Sequence, residues 1–140
     1  MSGIKSVLLM IVVVVLTSCG KVMYTESVYM VDYREYINAG FTISPTVTGF
    51  NYQPISNLEV VFSSGQLPKG ASDKDLQKID QYNGYKGSVI KYSPTGKRMM
   101  DKIVSEAKAM GANGLINFQT SYSPRNSTWT VSGLAVKVIK

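Results

Sequence analysis

Residues 93–114 read SPTGKRMMDKIVSEAKAMGANG, and the chain then turns strand-like through LINFQTSY. Met99, Met100, Ile103, Val104, Ala107 and Met110 recur at helical spacing, while Lys97, Arg98, Lys102 and Lys108 fall mostly off that stripe. The spacing predicts an amphipathic helix, opened by Ser93 or Thr95 and closed by Gly111 at the first position beyond it. Such a stripe must be buried against a second layer, and the strand that follows at once supplies one. The joint Gly111-Ala112-Asn113-Gly114 is legible residue by residue. Gly111 suits a left-handed turn. Ala112 is small enough for a tight crossing, Asn113 can bond local backbone as the chain reverses, and Gly114 admits the strand beneath the helix. None of the four is a catalytic group, so the joint reads as a fold motif rather than a site.

The other end of the sequence is of a different kind. Lys5 precedes an unbroken run of ten apolar residues, Val7 to Leu16, followed by Thr17, Ser18 and Cys19. Ten residues are too few to cross a bilayer, which takes ~20, and they suit the apolar region of an export signal. Leu16-Thr17-Ser18-Cys19 resembles a bacterial lipobox, in which the thiol takes a diacylglyceryl group and becomes the mature N-terminus. The alternatives are an ordinary secretory signal with a chance cysteine, or an uncleaved anchor. We therefore expect a signal peptide over 1–18, lipidation at Cys19, a tether over 19–28, and one domain over 29–140. The expected address is the bacterial cell envelope, on the periplasm-facing side of the outer membrane. The partner at that end is the membrane, through the lipid. Cys19 is the sole cysteine, so the domain has no internal disulfide and rests on its core.

Between these ends the pattern mixes elements. Tyr29, Tyr33, Tyr36 and Ile37 lie at helical spacing, with Asp32 as a cap and Gly40 as a stop. The stripe reads either as a helix packed on a sheet or as tyrosines that stack on a ligand. GFTIS is a short strand closed by Pro45, and residues 46–53 are a loop or ragged strand. Leu58, Val60 and Phe62 alternate with Asn57, Glu59 and Val61, a strand signal. Residues 63–87 are rich in Gly, Ser, Asp and Lys and read as a long loop with a short helix near 72–79. Ser88–Tyr92 is a strand. The last stretch, STWTVSGLAVKVIK, is another, in which the alternation shifts at Gly133, the mark of a bulge or close backbone approach. The fold class is α+β: a small β-α-β-β unit preceded by a short helix and strand, with the exposed edge of the last strand as the natural interface.

Composition narrows the chemistry. The 140 residues contain no histidine, which removes histidine-assisted nucleophiles and histidine-ligated metals. Ser88/Lys91 and Ser105/Lys108 match Ser-x-x-Lys by chance, without the companion motifs of that chemistry. SPTGKR fails as a phosphate loop, because Lys91 stands where glycine is needed and Arg98 replaces Ser or Thr. Lys97 and Arg98 at a helix start could hold an anion weakly. Asp73, Asp75 and Asp80 are weak candidates for calcium-type oxygen ligation, although Lys78 and Gly84 break the EF-hand pattern. Loop polarity balanced by lysines explains them as well. The formal charge is +6, and removal of residues 1–18 would take only Lys5 and leave +5. That surplus is diffuse and lacks the basic-aromatic pattern of a nucleic-acid binder, so no nucleic acid is expected as a partner.

Met110-Gly111-Ala112-Asn113-Gly114, with Gly133-Leu134-Ala135-Val136 later, resembles the YbjQ-like family, once labelled heavy-metal-binding. Tyr52 to Phe62 is similar to that family's opening strand, although Ser56 and Asn57 stand where glycine is usual and Leu134 replaces the usual threonine. The residues before the domain resemble those of lipoprotein members from Bacteroidetes-type envelopes. The resemblance implies a small β-α-β-β subunit, dodecin-like in build, that assembles into homo-oligomers, often pentamers. Its metal label does not carry over, since no histidine or free cysteine is present; no cofactor is expected. The function this suggests is a lipid-anchored, non-enzymatic envelope protein whose domain mediates self-assembly or binds an envelope protein partner. The alternative is a lipoprotein that binds a small ligand or metal ion.

Overall fold

The computed structural model describes residue 26, residues 28–83 and residues 87–139; side chains are not described at 80–83 and 87–89. The expected signal peptide, over 1–18, and Cys19 lie outside the described residues. Among the described residues two helices, α1 (Arg34–Asn38) and α2 (Gly96–Ala109), accompany six strands. These are β1 (Thr42–Ile43), β2 (Tyr52–Ser63), β3 (Leu76–Asn83), β4 (Gly87–Pro94), β5 (Gly114–Ser123) and β6 (Thr128–Val138). The molecule is a mixed α+β fold with two sheets. The larger has the order β1-β5-β6-β2, and the smaller is the β3–β4 ribbon. Only the β1–β5 pairing is parallel.

The long helix forms as its pattern dictates. Thr95 caps it, its hydroxyl accepting from the Arg98 backbone N–H at 3.2 Å. Met99, Met100, Ile103, Val104 and Ala107 are buried against the large sheet, where Leu115, Phe118, Trp129, Val131 and Ala135 face them. Burying one such large side chain is worth about 1.5–3 kcal/mol. The ion pairs on the same helix are exposed and contribute about 0–1 kcal/mol each, so the apolar face decides its position. Met110 leaves the expected stripe: it is the cap residue and 46% exposed. Beyond it Gly111 has φ +82°, the Gly111 N–H reaches Lys108 O and the Ala112 N–H reaches Ala107 O. This is the Schellman closure, with Ala112 and Ala107 as its buried apolar pair.

Asn113 departs from expectation. Its side chain bonds not local backbone but Val138: Oδ1 accepts from the Val138 N–H at 2.6 Å and Nδ2 donates to the Val138 carbonyl at 3.1 Å. The amide imitates a strand residue and fastens the helix end to β6. A β-carbon on Gly114 would sit 2.9 Å from Val138 Cγ2, so glycine is required where β1, β5 and β6 crowd together.

Three other expectations are revised. The segment expected as a loop with a helix near 72–79 contains β3, paired along its length with β4. The alternation in β6 does not shift at Gly133. Trp129, Val131, Gly133 and Ala135 stay on one buried face, and Val136 is buried on the other. The bulge lies in the partner strand, where Asn117 and Phe118 oppose Gly133, and a β-carbon on Gly133 would come within 2.9 Å of Leu115 Cγ. Finally, β6 has no exposed edge. It is central, with β5 on one side and β2 on the other, so β1 and β2 are the edge strands.

Candidate functional site

The ribbon leaves the main body where β2 ends. Gly65 and Tyr92 exchange two backbone bonds, of 3.0 and 2.8 Å, and the Ser64 hydroxyl donates to Ser93 Oγ at 3.0 Å. Opposite, the Asp75 carbonyl accepts from both the Thr95 N–H and the Thr95 hydroxyl, tying the ribbon to the start of α2. Between β2, the 65–68 segment, the ribbon base and α2 lies an open groove of about 630 Å³. Val60, Phe62, Leu67, Leu76 and Tyr92 give it apolar walls, and Arg98, Asp101, Lys102 and Ser105 of α2 line its helical side.

The charges on that side are mostly engaged. Asp101 accepts the Tyr36 hydroxyl at 2.6 Å and lies 3.4 Å from Lys97. Lys97 also bridges to Glu35 at 3.1 Å, so α1 and α2 share one polar seam. Burial, then the hydrogen bond to Asp101, pushes the Tyr36 phenol well above its usual range. The hydrogen bond to Glu35 raises the Lys97 ammonium above its usual range. Lys102 pairs with Glu106. Arg98 has no ion pair among the described residues.

The tyrosines do not form one stripe, because α1 is only five residues long and Tyr29 precedes it. Tyr29 and Tyr122 each stack on Trp129, with ring centroids 4.8 and 4.7 Å away. Tyr33 meets Phe118 edge-on, and Tyr36 is buried. Tyr29, Tyr33 and Tyr36 are therefore each engaged within the fold. The cap position of α1 is Tyr33, without a side-chain capping bond, rather than Asp32; the Asp32 carboxylate accepts from the Arg34 side chain and from the Arg34 backbone N–H, which together hold it down at about 2.

The other candidates separate. Asp73 approaches Lys78 at 3.9 Å, Asp75 has φ +58° and acts through its carbonyl, and the Asp80 side chain lies outside those described. Among the described residues no three His, Cys, Asp or Glu side chains gather as a metal site. Lys108 lies over the Phe41 ring rather than beside Ser105 chemistry. The start of α2 is covered: a β-carbon on Gly96 would fall 2.2 Å from the Met30 carbonyl oxygen, and Lys97 is drawn to carboxylates. An anion there would meet that carbonyl.

Sequence reasoning missed the groove. Its walls come from segments far apart in the chain, and no local pattern marks them. Gly65 was the one available signal, a glycine just past a strong strand. No helix among the described residues is long and apolar enough to cross a membrane. No family model matches the chain, and no curated protein matches it.

Proposed function

We propose that this is a lipid-anchored, non-enzymatic protein of the bacterial envelope whose α+β domain works by self-assembly or by binding a protein partner. The observation that carries the binding half is the groove beside β2: apolar walls, one arginine without an ion pair among the described residues, and neighbouring charges already committed to one another. A concave, mostly apolar surface with few convergent polar groups is a binding surface. The Leu16–Cys19 lipobox supports the anchor, and the YbjQ-like resemblance supports assembly into a ring.

The anchor is tested by the mass of the membrane-extracted protein. A mature N-terminus at Cys19 carrying acyl groups is expected, with Cys19→Ser left unprocessed. A native N-terminus at Met1 without lipid would refute it. Native mass spectrometry of the same protein reads the assembly half: a monomer at every concentration removes the ring. The groove also favours a second reading, a lipoprotein that takes a small apolar ligand. Thermal shift against a lipid and metabolite panel tests that reading, with stabilisation expected and then lost on Phe62→Asp.

A further inference from the structure

The backbone of β2 shows which of its groups are free. The Ser64 N–H donates to Ser127 O, on the β6 side, whereas Gly65 turns both its groups the other way, to Tyr92. Successive residues of a strand alternate in this respect. Leu58, Val60 and Phe62 therefore bond to β6, and Asn57, Glu59, Val61 and Ser63 direct their N–H and C=O groups outward. Among the described residues no strand pairs with that edge. Its limits are built in. At one end β4 occupies the line at Tyr92. At the other, the bulge at Ile55 resets the alternation. The Ile139 N–H to Asn51 O bond then places Pro54, which has no N–H, on the outward side. The open window is four outward-facing residues long.

We infer that this window takes an extended peptide segment of another protein as an added strand, with apolar side chains in the groove and an acidic group on Arg98. This rests on the partner-binding reading above and narrows it. Backbone pairing supplies the docking, and alternate side chains of the guest drop beside Val60 and Phe62. Arg98 lines the groove without a carboxylate partner among the described residues. Charge decides between occupants: a second copy would bring the same positive surplus and the same arginine, whereas an acidic peptide complements both.

The test uses the full-length protein, in detergent and labelled with ¹⁵N. The probe is a synthetic peptide of about eight residues that alternates valine and threonine and carries one aspartate. Saturating peptide is expected to slow amide exchange at Asn57, Glu59 and Val61 by about tenfold, while Leu58, Val60 and Phe62, already in the ladder, do not change. Val61→Pro removes an outward N–H that no strand in the fold uses and is expected to abolish this protection. Arg98→Gln, which leaves the edge intact, is expected to weaken the aspartate peptide several-fold and to leave its asparagine counterpart unaffected. Exchange that is unchanged by peptide, or slowed equally at odd and even positions, overturns the proposal. So does protection of the odd positions that grows with protein concentration alone, since the occupant is then a second copy. A lipid-free N-terminus would defeat the anchor and leave this result standing.

Discussion

Val131 in β6 is fully buried, whereas Ile90 in β4 keeps 45% of its surface in solvent. Both sit in antiparallel ladders. The large sheet has a helix laid across one face, and the ribbon has only its base tied down, through Gly65, Ser93 and Asp75. A lone two-stranded ribbon is marginal in water, so the ribbon depends on the body. The difference teaches that hydrogen-bonded pairing places strands, while burial against α2 makes them stable.

That contrast can be broken by mutation. Ile103→Ala, at a site with no exposed surface, is expected to cost about 2–5 kcal/mol in urea unfolding, the largest effect of the set. A cost below the ribbon variant's would invert the comparison. Gly133→Ala forces a β-carbon against Leu115 and is expected to cost about 1–3 kcal/mol, read as a lower unfolding midpoint with an unchanged slope. Asn113→Ala strands the Val138 N–H and carbonyl and is expected to cost about 1–3 kcal/mol. Faster amide exchange at Val138 would locate that loss.

Tyr36→Phe sharpens the comparison through pH. The folded phenol keeps its proton above the ordinary value of 10.0, so the folded state binds more protons there and stability falls as pH rises past that value. The variant is expected to flatten this alkaline slope and to cost about 0.5–1.5 kcal/mol at neutral pH, when thermal unfolding is followed across pH. An unaltered slope would assign it to other groups. Ile90→Ala is the smallest: a change within about 0.5 kcal/mol is expected, and a core-sized loss would show that something covers the ribbon.

The same division governs what the sequence makes legible. The α2 stripe up to Ala107, its Thr95 cap, the Gly111 closure and the alternation of β2 are local, and each stands in the structure as its spacing predicts. β3 is not local. Leu76–Asn83 carries Gln, Lys and Asp, a composition that suits a loop or helix, and it becomes a strand because β4 lies beside it. The central place of β6 was illegible for the same reason, since its second partner, β2, lies far upstream. Asn113 shows the limit at one residue: its type predicts a backbone bond, but only the fold says that Val138 receives it. The groove combines all of these, being walled by an edge strand, a ribbon base and a helix that no sequence window contains together.

The position of β6 has a consequence for how the chain comes into being. Of the strands described, the one that joins the two halves of the sheet is the last to be synthesised. Until it arrives, β2 has no neighbour, Asn113 has no Val138, and α2 has only part of its sheet to lie on. Pairing across such sequence separation is slow, because a long loop must close before any bond rewards it. The nascent domain thus stays open until β6 is delivered, however many of its other elements have already been made.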